Sequence, residues 1–240
     1  MAWVFTAAFG IAAELAPPAD TRQAYSAQAP QWLRAIGKLT VPGSIYHNGH
    51  RSHLLEDCSA TLVTAFPGRQ ADTIVTAWHC LENYDDLSKP IIFTLLWGEA
   101  GAVEREAYLL ADGGSMAFDW ALLRLREPVR AQDIVALSIH PARADAQQSV
   151  AMAGYSRDKG LGELGNRLTF DPACLITAQT APVSNSDCRA YKGASGGAVV
   201  QLSAAGIPQF SGVISEGDGA GISTFVPVEA FRSSIKPHLN

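Results

Sequence analysis

The chain has 240 residues, enough for one large all-β unit or two small barrels. Apolar residues make up 48% and charged residues 17%, a balance that builds a packed core and excludes a disordered chain. The net charge of −5, with no basic run, argues against nucleic acid as a partner, and no apolar stretch is long enough to span a membrane.

Residues 1–13, M-A-W-V-F-T-A-A-F-G-I-A-A, are apolar and rich in small side chains. They resemble the core and tail of a secretory signal without its basic leader; a short amphipathic or buried helix is the alternative. Residues 14–31 contain Pro17, Pro18 and Pro30 among small polar residues and read as a linker. Residues 1–33 are therefore expected to be an N-terminal extension, a signal or propeptide remnant with a linker.

From Trp32 onward the pattern changes to short apolar runs rich in Val, Ile and Thr, bounded by Gly, Pro, Asp or Asn. Examples are S-A-T-L-V, T-I-V-T-A-W, I-I-F-T-L-L-W, W-A-L-L-R-L, G-A-V-V-Q-L and I-S-T-F-V-P-V. Such runs predict strands, and many at regular spacing predict an all-β sandwich or barrel pair. The segment V-E-A-F-R-S-S-I near the end predicts a short helix.

The four cysteines are Cys58, Cys80, Cys174 and Cys188. Their intervals are too long for a zinc site, which wants close Cys-x-x-Cys pairs, so no metal is expected. Two sequence-local disulfides fit better, with four buried thiols as the alternative. Disulfides would place the chain in an oxidising compartment, secreted or periplasmic.

Residues 193–199, G-A-S-G-G-A-V, set Ser195 among glycines. A tight turn is one reading. The other is a nucleophile whose neighbouring N–H groups point into a cavity. A serine hydroxyl needs a base, and the base needs a group to orient it. Of six histidines, His47, His50 and His53 share a polar stretch that reads as a solvated loop, and His140 and His238 stand beside prolines. His79 ends an apolar strand, T-I-V-T-A-W-H-C, and abuts a cysteine. Asp119, in F-D-W-A-L-L-R-L, lies between two aromatics, where a carboxylate requires a partner. The competing Asp112, in A-D-G-G, reads as a turn residue.

Together, T-A-W-H-C, F-D-W-A-L-L-R-L and G-A-S-G-G resemble the signature segments of the trypsin-like, chymotrypsin-fold serine peptidases, in that family's order of His, Asp and Ser. The resemblance covers roughly residues 34–240. It implies two consecutive six-stranded antiparallel β-barrels, over 34–130 and 131–240, with an active site in the cleft between them. It implies His79 as general base, Asp119 as its orienting acid, Ser195 as nucleophile, and an oxyanion hole from the N–H groups of Gly193 and Ser195. It also implies a Cys58–Cys80 bridge, no cofactor, and a peptide or protein substrate for a monomeric endopeptidase.

Digestive and clotting members of the family carry an aspartate just before the serine, where this chain has Ala194. In that respect it resembles bacterial, glutamyl-endopeptidase-like members. A Cys174–Cys188 bridge is expected to brace the loop leading to Gly193. The specificity pocket falls on Asp187 to Lys192 and Val213 to Gly217. Arg189 would attract an acidic side chain there, Glu216 or Asp187 a basic one. Ile214 and Ser215 would line the wall, with Ser215 in place of the family's tryptophan. Two other functions stay open: a peptidase-fold binding protein that hydrolyses weakly, permitted by Ala194, and a non-peptide ester hydrolase.

Overall fold

Described over residues 20–86 and 88–240, the computed structural model is built almost entirely of antiparallel strands. The apolar residues 1–13, read above as signal-like, lie outside the described residues.

The first ring uses β2 (Ile36–His47), β3 (His50–Thr64), β4 (Ala71–Thr76), β5 (Ile91–Leu95), β6 (Val103–Asp112) and β7 (Ala121–Val129). β1 (Gln23–Ala24) precedes them and belongs to the other half. Each strand pairs with two neighbours in the order β2-β3-β4-β7-β6-β5 and back to β2, so the sheet closes on itself. Closure leaves no free edge and points alternate side chains inward. Leu39, Leu62, Ile74, Phe93 and Leu122 are fully buried in this core.

Of the remaining strands, β8 (Leu137–Ile139) lies between the two halves, parallel to both β3 and β14 (Pro208–Gly217). The second ring holds β9 (Val150–Gly154), β10 (Thr169–Cys174), β11 (Ile176–Thr180), β12 (Val183–Ser186), β13 (Ala198–Leu202), β14 and β15 (Ser223–Pro227). Only Leu175 separates β10 from β11. Taken as one bent strand, they pair with β9 on one side and β12 on the other. The pairings β12-β15-β14-β13-β9 complete the circuit.

The chain end ties the halves together. A short helix, α1 (Arg232–Ile235), follows a helical turn at Val228–Phe231, and the Phe231 ring stacks on Trp120 at 5.1 Å. Beyond it, the carbonyls of His238 and Asn240 accept hydrogen bonds from Thr73 and Thr64 of the first ring.

Two local expectations need correction. Residues 45–53 are an antiparallel hairpin, with His47 opposite His50 across an Asn48–Gly49 turn, and not an irregular loop. That dipeptide is the pair two-residue hairpin turns favour. Residues 20–31, read from their prolines as linker, are fixed to the second ring: Arg22 is buried and β1 pairs with β10.

Candidate active site

A cleft of about 660 Å³ runs between the two rings, with His79, Glu82 and Met116 on one wall and Tyr191, Ser195 and Glu216 on the other. His79 sits in a helical turn, Trp78–Leu81, that follows β4, and the Cys58–Cys80 disulfide pins that turn to β3. The bridge thus fixes the backbone one residue from the imidazole.

Asp119 is fully buried beneath it. One carboxylate oxygen accepts the His79 backbone N–H at 2.9 Å, and the other faces His79 Nδ1 at 2.8 Å. The Ser215 hydroxyl donates to that second oxygen as well. These bonds satisfy a charge that would be costly to bury alone. Burial pushes the Asp119 carboxyl up, but the hydrogen bonds from His79 and Ser215 and the imidazole charge outweigh it and hold it below the usual carboxylate range. For His79, burial works downward. The hydrogen bond and charge of Asp119 prevail, aided by the charges of Glu56 and Glu216, so its pKa is raised. With Nδ1 engaged, Nε2 is the nitrogen left for the cleft.

Ser195 is held from both rings. Its carbonyl accepts the Ser59 N–H of β3 at 2.8 Å, and the next N–H, of Gly196, donates to Ile214 of β14 at 2.8 Å. Its hydroxyl donates to the Ser215 carbonyl at 3.2 Å. Gly196 has φ +82, and a Cβ there would lie 2.1 Å from the Ser59 carbonyl. No other residue fits where the chain passes this close to β3.

The turn before the serine runs from Tyr191 to Ala194, closed by the Ala194 N–H on the Tyr191 carbonyl at 3.0 Å, with Gly193 at φ +94. The Lys192 carbonyl accepts the Arg157 N–H at 2.7 Å. Carbonyl and N–H point in opposite directions across a trans peptide, so the Gly193 N–H points away from Arg157. The Gly193 carbonyl accepts the Ser59 hydroxyl, which in turn accepts the Tyr155 N–H, both at 2.8 Å. The N–H groups of Ala194, Gly196 and Gly197 are all paired, whereas those of Gly193 and Ser195 have no partner among the described residues. Ala194 separates these two open donors, and a pair of N–H donors without a protein partner is the chemistry that a developing negative oxygen requires.

The expected pocket residues divide. Ile214, Ser215 and Glu216 line the cleft. Ser215 also gives its hydroxyl to Asp119 and its carbonyl to Ser195, and the exposed Glu216 follows it on the same wall. Arg189 is not among the cleft-lining residues. Its N–H donates to Asp171 and its charge acts on Asp20, so Ala190, Tyr191 and Lys192 line the cleft in its place. Asp187 accepts the Leu175 N–H and also lies off the cleft lining. The second disulfide joins Cys174 and Cys188, both buried, at the base of this segment. Asp112 belongs to β6 and faces a separate groove beside Trp78 and Tyr108. Among the described residues, the groups of His, Cys, Asp and Glu close enough to share an ion both contain disulfide cysteines, whose sulfurs cannot ligate as thiolates. Sequence reasoning missed Ser59 altogether, and for Ser215 it missed the bond to Asp119; both are buried serines inside apolar strands. The mismatch of a hydroxyl with a dry strand was their only signal.

The sequence pattern of the trypsin-like peptidase domain matches residues 58–206. Comparison with curated protein sequences finds no match. In three dimensions the chain is similar to the protease Anisep from Arthrobacter nicotinovorans. The TM-score is 0.63 at 21% identity, covering 90% of this chain and 98% of that one. It is also similar to AL20, a thermostable serine protease from an extremophilic microorganism. Here the TM-score is 0.60 at 17% identity, covering 82% and 93% of the two chains. At these identities the likeness is one of fold.

Proposed function

Because this chain belongs to the trypsin-like peptidase domain family, we propose that it is a serine endopeptidase acting through Ser195, His79 and Asp119. The observation that carries the reading is the 2.8 Å contact between the buried Asp119 carboxylate and His79 Nδ1, on the wall of the cleft that holds Ser195. It selects the tautomer whose Nε2 accepts a proton. On substrate binding the Ser195 hydroxyl turns from the Ser215 carbonyl to Nε2, which takes its proton as the oxygen attacks the scissile carbonyl. The imidazolium is stabilised by Asp119 and then donates the proton to the leaving amine. The N–H groups of Gly193 and Ser195 stabilise the tetrahedral oxyanion, each worth roughly 3–4 kcal/mol in the transition state. Water repeats the sequence in reverse to release the acyl group. The two disulfides fit action in an oxidising compartment, secreted or periplasmic.

The test is intact-mass labelling with a fluorophosphonate, wild type beside Ser195→Ala and His79→Ala. Labelling of the wild type alone is expected. A folded wild type that takes no label would instead make the chain a peptidase-fold binding protein. Turnover of simple esters without peptides would make it an ester hydrolase.

A further inference from the structure

Arg22 has no part in the chemistry above, yet its side chain is only 2% exposed. Its guanidinium serves three partners. Nε and Nη2 donate to Asp20 at 3.0 and 2.7 Å, Nη1 donates to Asp158 at 2.8 Å, and the group lies over the Tyr191 ring, 4.1 Å from its centroid. Asp158 and Tyr191 belong to the two segments that set the oxyanion turn. Arg157, the neighbour of Asp158, holds the Lys192 carbonyl through its N–H, and Tyr191 opens the turn and accepts the Ala194 N–H. Thr21 reinforces the arrangement by donating to Asp171, whose same oxygen accepts the Arg189 N–H. The segment is anchored from behind by β1 on β10 and by the Tyr25 N–H on Leu168.

We propose that Arg22 is a positioning residue for the oxyanion site: by gripping Asp158 and stacking on Tyr191 it clamps together the two segments that aim the Gly193 N–H, so residues 20–24 act as a strap on catalytic competence. The proposal rests on the peptidase reading for its kinetic consequence, though not for its structural one. A planar guanidinium is required, because one group must meet two carboxylates in its plane while its face lies on the tyrosine. Lysine can supply the charge without the fork or the flat face. Ala194 offers the turn no charge, so the clamp works from outside it, through its neighbours.

The experiment compares wild type, Arg22→Gln, Arg22→Lys and Asp158→Asn by peptide turnover and by fluorophosphonate labelling rate. Hydrogen exchange of residues 189–197 is measured in parallel in a Ser195→Ala background. Arg22→Gln and Asp158→Asn should lower kcat and labelling rate at least about 10-fold, toward the roughly 100-fold that a 1 Å misplacement costs, with KM little changed. Arg22→Lys should recover part of the loss. Exchange over 189–197 should quicken while the strands of the first ring stay protected. A purely structural arginine would lower stability and leave kcat per folded molecule and local exchange as in wild type; that result overturns the proposal. Should Arg22→Gln fail to fold, Arg22→Lys and Asp158→Asn decide by the same criteria. If the wild type itself neither labels nor cleaves, the peptidase reading fails, and the exchange arm still decides the clamp.

Discussion

Asp119→Asn separates the role of the buried carboxylate from its shape. The amide has the same outline. Its oxygen can keep accepting the His79 backbone N–H, now held at 2.9 Å, but its NH2 must then stand where Oδ2 meets Nδ1 at 2.8 Å. Two donors cannot share that contact, so Nδ1 becomes an acceptor and the imidazole proton moves to Nε2. The nitrogen facing the cleft then cannot take a proton from Ser195. Loss of the correct tautomer lowers kcat on the order of 10⁴-fold, about 5 kcal/mol in the barrier. Stability should change by no more than about 2 kcal/mol. The charge-assisted bonds are lost, but so is the cost of burying a carboxylate. A second signature follows from His79. Burial alone lowers its pKa, and Asp119 is the largest influence opposing it, so the variant's residual activity should titrate at lower pH than the wild type's. Steady-state kinetics across pH, with denaturant unfolding of both proteins, reads all three quantities. A folded variant within tenfold of wild-type kcat, or one whose pH profile does not move, would refute the assignment of Asp119.

Other perturbations test the surrounding geometry. Gly193→Ala places a Cβ 2.5 Å from the Tyr155 carbonyl and 2.7 Å from Arg157 Cγ, at φ +94. The turn must shift, and kcat should fall by at least about 10²-fold, the effect of losing one oxyanion donor; wild-type kinetics in this variant would show that the Gly193 N–H is not used. Removing the Cys58–Cys80 bridge by double alanine substitution opens a 22-residue loop. It should cost about 3 kcal/mol in denaturant unfolding, and an unmoved midpoint would contradict this. Because Asp119, Glu56 and Glu216 together raise His79, kcat/KM should rise with pH through an inflection above the ordinary value of about 6.5. Glu216→Gln should bring that inflection down, and an unshifted profile would remove Glu216 from the field at the imidazole. For stability the signs are opposite. The raised histidine contributes fully below about pH 6.5 and loses its contribution as pH rises through its folded pKa, whereas the depressed Asp119 contributes above about pH 3.9 and loses it as pH falls through its folded pKa.

The sequence was most legible where one residue violated its surroundings. A carboxylate between Phe118 and Trp120, a histidine against a cysteine, and a serine in glycines each demanded a reason, and the structure brings Asp119 onto His79 and places Ser195 on the same cleft. Strands were legible from their Val, Ile and Thr runs. Contacts across long separations were not. Ser215 meets Asp119 from 96 residues away, and Arg22 meets Asp158 from 136. A serine or arginine carries no mark of such a partner. Residues 20–31 were misread for the same reason: proline and small polar residues describe local freedom, and here the distant Arg22–Asp158 ion pair and the pairing of β1 with β10 remove it. The Asn48–Gly49 turn was a local signal, obscured by the polar histidines around it.

Ala194 gives the clearest view of how this site is held. A charged residue at that buried position would require a counter-charge delivered to it, and so could serve as a switch. The alanine is 2% exposed and packs against Gly154, where it needs no partner. Orientation of the turn falls instead to neutral bonds: the Arg157 N–H on the Lys192 carbonyl, and the Ser59 hydroxyl of β3, itself accepting the Tyr155 N–H, reaching across to the Gly193 carbonyl. Folding of the two rings therefore gives the turn its outline. The ionic contribution is displaced outward to Arg22, Asp158 and Tyr191, where it tightens a turn that the backbone already defines. The site is thus built in layers: neutral bonds give the turn before Ser195 its shape, and in the clamp proposed above the buried charge outside it aims the Gly193 N–H.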